Sequence, residues 1–393
     1  MIAVYALATV LALFAAVITS VQTILTLLFR RRGRFFGRGP HAAGPSRPDA
    51  FFRRHRVSIL KPVCGLDDDL EANLESFAAL QGVNFEVIVS IADANDPALP
   101  LVERVMHRNR SVAWKLVVGG DPSRESGNRK IARLIAAMPH ARGNVIFISD
   151  SNVRVQPDDV AQTIAALDDP RAGCVSNLFT ASGAQSLGAS IESLHLLSFV
   201  VTGAVTAAAA KIPCVVGKSM AIRRDVLRAI GGFEAFAGVL AEDQAIGLAV
   251  RDAGYDVVLS PRVVRNVVVR RTLRRALDRQ VRWNKIRYAF SKRTYSSEFL
   301  LFPLPYALVA AFALPLLPIA VVLLRILQIA LLARATSAPL RLRELLLVPL
   351  FDLLHFGAQF APYVDDRVTW RGYSTRLGPN TTLIQECGGR VAA

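Results

Sequence analysis

Six short stretches of the chain combine acids, bases and amides able to act together chemically. Asp93 and Asp150 each follow an apolar run of strand length, Phe85 to Ala92 and Val145 to Ser149. Either one alone reads as a turn residue or a helix cap. Together, with Lys61-Pro62 closing the run that begins at Val57 and Asn128-Arg129-Lys130 opening a helical pattern, they point to a nucleotide site, because Lys and helix N-termini suit phosphate. Neither GxGxxG nor GxxxxGK(S/T) occurs, which argues against a dinucleotide or P-loop site and for a divalent cation held by carboxylate at the diphosphate. Glu242 and Asp243 follow GGFEAFAGVL and open a further helical pattern. An acid there caps the helix, and it can also face a cavity as a general base while the Gly231-Gly232-Phe233 turn carries the backbone away. In RQVRW, Arg279, Arg282 and Trp283 share one helix face, with Thr272 as the cap. The surrounding basic run reads mainly as a face toward anionic lipid. Arg282 and Trp283 stand apart, since a guanidinium and an indole platform suit a leaving nucleotide and a sugar or lipid acceptor.

These residues need a scaffold that brings them to one edge. From Val57 to Ser149 strands alternate with helices: strand Val57-Leu60, helix near Asp68-Leu80, strand Phe85-Ala92, helix near Pro97-Arg108, strand Ala113-Val118, helix near Asn128-Met138, strand Val145-Ser149. That order predicts an α/β, Rossmann-like domain with a mostly parallel sheet, in which ligands sit beyond the carboxyl ends of the strands. Asp93 and Asp150 then meet at the same edge.

The chain has 393 residues, 52% of them hydrophobic, with 47 Lys and Arg against 31 Asp and Glu, a net charge of +16. Disorder is excluded. Four scattered cysteines at 64, 174, 214 and 387 form no CxxC pair, so neither a disulfide framework nor a zinc site is expected. Ile2 to Phe29 carries no charge and exceeds the roughly 20 apolar residues that cross a bilayer. Arg30, Arg31, Arg32, Arg34 and Arg38 follow it, which marks an uncleaved anchor with its N-terminus outside. Phe299 to Ala333 is interrupted by four prolines and reads as a hairpin or kinked pair, with Arg325 its one charge. Leu345 to Val364 has basic flanks on both sides, as a re-entrant or interfacial segment does. The expected division is an anchor over 1–29, a basic linker over 30–54, a catalytic domain over 55–293 ending in a basic interfacial helix, membrane or re-entrant helices over 294–364, and a cytosolic tail over 365–393. Nucleic-acid binding is poorly supported, because the basic residues flank apolar segments without interleaved aromatics.

The ordered set VSILKPVCGLDDDLEANLESF at 57–77, IADANDPA at 91–98, GNRK at 127–130, SDSNVRVQPD at 149–158, VVGKSMAIRRDVLRAIGGF at 215–233, AEDQ at 241–244, RQVRW at 279–283 and VTWRG at 368–372 resembles the ceramide glucosyltransferase family, glycosyltransferase family 21. The resemblance implies a GT-A domain on the cytosolic face of a membrane, in a bacterium the inner one. That domain moves glucose from UDP-glucose to the hydroxyl of ceramide with inversion. It implies that Asp93 contacts the nucleotide, that Asp150 binds Mg2+ or Mn2+, and that Asp243 is the base of the Glu242-Asp243 pair. Lys61, Lys130, Arg279 and Arg282 would bind the nucleotide sugar and Trp283 the acceptor. Asn152 departs from the second acid of the general DxD pattern. Two other readings stand beside it: N-acetylglucosamine transfer to a hopanoid polyol, and a non-enzymatic basic membrane-binding protein. The stretch 176–210, rich in Ala and Gly, is the expected acceptor side.

Overall fold

Alternation of strands and helices produces the expected layers. A computed structural model describes residues 1–33, 55–119, 127–370 and 373–384. Arg34, Arg38, the rest of the linker, Arg371, Gly372 and Cys387 lie outside the described residues. The chain divides into two units, one formed by 32–180 and 207–268, the other by 1–31, 181–206 and 269–393. This partition differs from the expected division at 293, because the RQVRW helix and the 181–206 segment group with the apolar helices.

The first unit is built on strands β1 (Arg56–Val63), β2 (Asn84–Ile91), β3 (Trp114–Val118), β4 (Val145–Ser149), β5 (Val153–Arg154), β6 (Ala172–Ser182), β7 (Ser219–Arg223) and β8 (Asp256–Val267). Among the described residues they form one sheet in the order β3-β2-β1-β4-β7-β6-β8-β5. β3, β2, β1 and β4 run parallel, with Leu60 opposite Ile88 on one side and Ile148 on the other. β4 meets β7 antiparallel, as do β6 with β7 and β5 with β8. The expectation of a mostly parallel sheet therefore holds only for the first half. The second half returns by reversals, which an alternation of strand and helix up to Ser149 does not announce. Burial follows from apolar content: β4 is buried along its whole length, and Leu60, Ile88, Ile146, Ile148 and Ile222 pack with Ile131 and Leu134 of the Arg129–Ala137 helix.

In the second unit the Ile2–Arg32 helix is 31 residues long, and Arg30 Nε donates to Ala335 O at 2.9 Å. The stretch expected as a kinked pair is two helices, Pro303–Ala310 and Leu317–Thr336. Arg325, its one charge, is buried and forms a two-pronged pair with Asp352 at 3.0 and 3.1 Å. A charge in an apolar bundle persists when it is paired in this way. Leu345 to Val364 is covered by short helices, the longest being Val348–Ala358 with 11 residues. Three described helices are long and apolar enough to cross a membrane: Ile2–Arg32, Leu317–Thr336 and Leu187–Ala209. The last is a candidate that the composition of 176–210 did not suggest, since Glu192 and His195 interrupt its apolar run.

Candidate active site

The functional residues of the first unit gather where β4 ends. Asp150 follows the last residue of β4, and its N–H donates to Lys218 O at 3.1 Å, just before β7 begins. Antiparallel pairing of Ser149 with Ser219 thus sets Lys218 beside Asp150. Lys218 Nζ contacts Asp150 Oδ2 at 3.1 Å and donates to Asn152 Oδ1 at 3.0 Å. On the other side, Lys130 Nζ sits 2.9 Å from Asp150 Oδ1 and 3.1 Å from Glu242 Oε1, and donates to Gly217 O at 2.8 Å. An ammonium has three hydrogens, and Lys130 directs all of them at these oxygens.

Lys130 is delivered by a capped helix. Asn128 Oδ1 accepts from the N–H groups of Lys130 and Ile131, satisfying donors that a helix start leaves open. Its Nδ2 donates to Glu242 Oε2 at 2.8 Å, so the cap also holds the first acid of the Glu242–Asp252 helix. Glu242 is buried, and burial pushes its carboxyl up; Lys130 pulls it down and Asp243 raises it again. Asp243 is half-buried. Its Oδ2 accepts from Gly217 N at 2.6 Å and its Oδ1 from its neighbour Gln244 N at 2.8 Å. A Cβ at position 217 would lie 2.8 Å from Lys130 Nζ and 2.9 Å from Asp243 Cβ, so only glycine lets these groups close on one another. The turn leading to this helix also uses glycine, with φ of +91° at Gly231 and +71° at Gly232.

Lys61 takes a different place from the one expected for a phosphate ligand. It is fully buried, donates to Asp150 O at 2.8 Å, and lies 4.1 Å from the Phe77 ring centroid. Burial lowers its pKa to about 7 against the opposing pull of Asp150 and Asp67. It supports the backbone of Asp150 from beneath. Burial alone would raise the Asp150 carboxyl, but Lys130 and Lys218 together hold it well below the usual carboxylate range. Burial likewise opposes the charge on Lys130, and Asp150, Glu242 and Asp243 overcome it and raise its pKa. Asp93 is exposed past β2, where its Oδ1 accepts from Asn95 N at 2.9 Å in a turn of its own. Parallel pairing of β2 and β4 with β1 brings it to the same sheet edge as Asp150. Cys174 and Cys214 are pushed up to about 12 by burial, so neither thiol is a nucleophile at neutral pH.

A divalent cation takes oxygen ligands, usually carboxylates, and Mg2+ demands near-octahedral geometry. Here both oxygens of Asp150 and the amide oxygen of Asn152 already face ammonium groups. Among the described residues no group of three or more His, Cys, Asp or Glu could hold a metal ion. A dication placed on Asp150 would meet two ammoniums. At an effective dielectric of 20, even two unit charges about 4 Å apart repel by about 4 kcal/mol. The donor set as arranged does not fit the expected Mg2+ or Mn2+.

Arg279, Arg282 and Trp283 lie in the second unit on the Leu273–Phe290 helix, which Thr272 caps at Arg275 N as expected. Arg279 is ion-paired with buried Glu192, which Arg271 also meets at 3.0 Å. Its guanidinium stacks 4.6 Å from the Trp283 ring centroid. Trp283 in turn lies 5.5 Å from the His195 ring. Arg279 therefore holds the indole in place as well as carrying charge. Arg274 and Arg275 are exposed, as a lipid-facing belt requires. Lys218 and, in the second unit, Glu192 are not marked out by the sequence pattern. The Lys218 motif is visible as VVGKSM, but only the antiparallel β4–β7 pair puts that lysine against Asp150.

The Glycosyl transferase family 21 model matches residues 8–383. Ceramide glucosyltransferase 3 of Caenorhabditis elegans is 27% identical over 66% of this chain and 56% of its own length. Ceramide glucosyltransferase 1 of the same organism is 26% identical over 59% of this chain and 50% of its own. The chain thus spans about half the length of these relatives. In fold it is similar to a mannosyltransferase from Pyrobaculum calidifontis, solved with GDP-Man and Mn2+, with a TM-score of 0.50 and 19% identity over 90% of this chain and 99% of that one. With a GT-A-like sheet, a glutamate-aspartate pair opening a helix beside Asp150, and a family match over nearly its whole length, the chain belongs to glycosyltransferase family 21.

Proposed function

We propose that the protein transfers glucose from UDP-glucose to the hydroxyl of ceramide at the cytosolic face of a membrane, with inversion and with Asp243 as general base. The observation that carries this reading is the two-residue segment Gly217-Lys218. Gly217 N binds Asp243, and Lys218 Nζ binds Asp150, so base and diphosphate end are held at one short distance along the chain.

A lipid hydroxyl is far too weak an acid to ionise at neutral pH, so its proton must leave as its oxygen attacks. In the proposed step that oxygen bonds to the anomeric carbon, the bond from that carbon to the diphosphate breaks, the bonding pair leaves with UDP, and the proton passes to Asp243. The two backbone N–H groups on Asp243 orient it and leave carboxylate lone pairs for the proton. Glu242 stays with Lys130 and Asn128 and fixes the position of that lysine. A divalent cation at Asp150 would first have to displace Lys218 and Lys130. The reading does not require it. Trp283 serves the acceptor and Arg282 the leaving diphosphate. The apolar helices and the Arg274-Arg275 belt keep the enzyme at the surface where its acceptor resides.

The test is release of UDP from UDP-glucose by the full chain in vesicles with and without ceramide. Ceramide-dependent release supports the proposal. Release that needs UDP-N-acetylglucosamine and a hopanoid polyol favours the related transferase, and membrane binding without any turnover favours the basic binder.

A further inference from the structure

We propose that Lys218 is the cation of this site: its ammonium, bridging Asp150 and Asn152, neutralises the donor diphosphate in place of a divalent metal ion. This rests on the reading that the donor is a sugar nucleoside diphosphate, and it names the group that receives its charge.

Position comes first. Lys218 does not reach Asp150 from a free loop; its carbonyl accepts the N–H of Asp150, and the next residue enters β7 against β4. The side chain is 11% exposed and spans two oxygens, at 3.1 Å from Asp150 and 3.0 Å from Asn152. These are the two side chains a metal would use in a D-x-N sequence.

Hydrogen count comes next. Lys130 spends three N–H groups on Asp150, Glu242 and the Gly217 carbonyl, and Lys61 is fully buried beneath Asp150. Lys218 makes two contacts among the described groups, which leaves one N–H for a phosphate oxygen. Of the three lysines it is the one equipped to touch the donor.

Asn152 supplies an acceptor oxygen without a negative charge, so the Asp150-Asn152 pair has one carboxylate where two would favour a dication. An ammonium needs only an acceptor, and the amide provides it. As the bond from the anomeric carbon to the diphosphate breaks, negative charge grows on the phosphate oxygens. A fixed cation beside them stabilises that charge more in the transition state than in the ground state. No proton need leave Lys218.

Binding of UDP to the full-length protein in detergent micelles, measured by calorimetry in EDTA and in millimolar MnCl2, tests this. The parent protein is expected to bind UDP equally in both, within about twofold. Lys218→Gln should weaken binding in EDTA by about tenfold or more, the loss typical of a hydrogen bond to a charged group. The double variant Asn152→Asp with Lys218→Gln should bind only with Mn2+, which also demonstrates that it is folded. UDP binding by the parent that vanishes in EDTA and returns with Mn2+ overturns the proposal without a variant and leaves the donor reading intact. Lys218→Gln that binds like the parent in EDTA also overturns it. Absence of UDP binding under both conditions removes the donor reading, and the proposal with it.

Discussion

Asp243 and Glu242 are adjacent acids with different surroundings, and those surroundings separate their roles. Asp243 keeps contact with solvent, whereas Glu242 is buried against Lys130 and Asn128. Asp243→Asn keeps the shape and one of the two backbone contacts, since its amide nitrogen cannot accept an N–H, and it cannot take a proton. Turnover should fall by about 100-fold to 10,000-fold while UDP affinity stays near that of the parent. Steady-state rates within a few-fold of the parent would pass the role to Glu242. Lys61 offers a stability prediction. Its pKa in the folded protein is lowered from 10.5 to about 7, so between these values the unfolded chain binds the extra proton. Stability contributed at this position therefore rises with pH from about 7 to about 10. Thermal melts of parent and Lys61→Met across that range should diverge in the parent's favour as pH rises. Parallel curves would mean that Lys61 is not perturbed.

At the scale of the element, Asn128 joins two helices through one side chain. Asn128→Ala removes the cap of the Arg129–Ala137 helix, worth about 1 kcal/mol, and leaves Glu242 with one partner fewer. A lowered melting temperature and a raised KM for the sugar nucleotide are expected together, because the cap also sets Lys130. An unchanged KM would confine Asn128 to a structural role. In the Leu273–Phe290 helix, Arg282→Lys should be strongly impaired in turnover while Arg274→Lys is not. A diphosphate is gripped by the guanidinium fork, but a lipid surface responds to charge alone. Equal activity of both variants would return Arg282 to the belt.

How much of this was legible follows from the range of the interactions. Strands β1 to β4, their intervening helices, and the cap at Thr272 are written in local pattern, and they appear within a few residues of where periodicity puts them. The reversal after β4 depends on which edge a later strand joins, and no local pattern carries that. Lys218 was hidden for the same reason, and so was the burial of Lys61, which depends on Phe77 and Asp150 meeting around it. Glu192 escaped notice because its partners, Arg271 and Arg279, lie far along the chain.

At the scale of the whole molecule, the proposed reaction brings a water-soluble donor to a lipid hydroxyl, and three described helices of this glycosyltransferase-family chain are long and apolar enough to cross a membrane. By the positive-inside rule, the basic residues Arg30 to Arg32 at the end of the first apolar helix predict a cytosolic position for that end. A tag placed before Met1 should therefore be cleaved by protease added outside sealed cells, and protection of that tag would reverse the orientation. The most direct test of the account is lipid mass spectrometry on a host that makes ceramide but no glycolipid, expressing either the parent chain or Asp243→Asn at equal membrane levels. A hexosylceramide is expected with the parent and none with the variant. No new glycolipid with the parent, or the same product from Asp243→Asn, would contradict the proposed reaction.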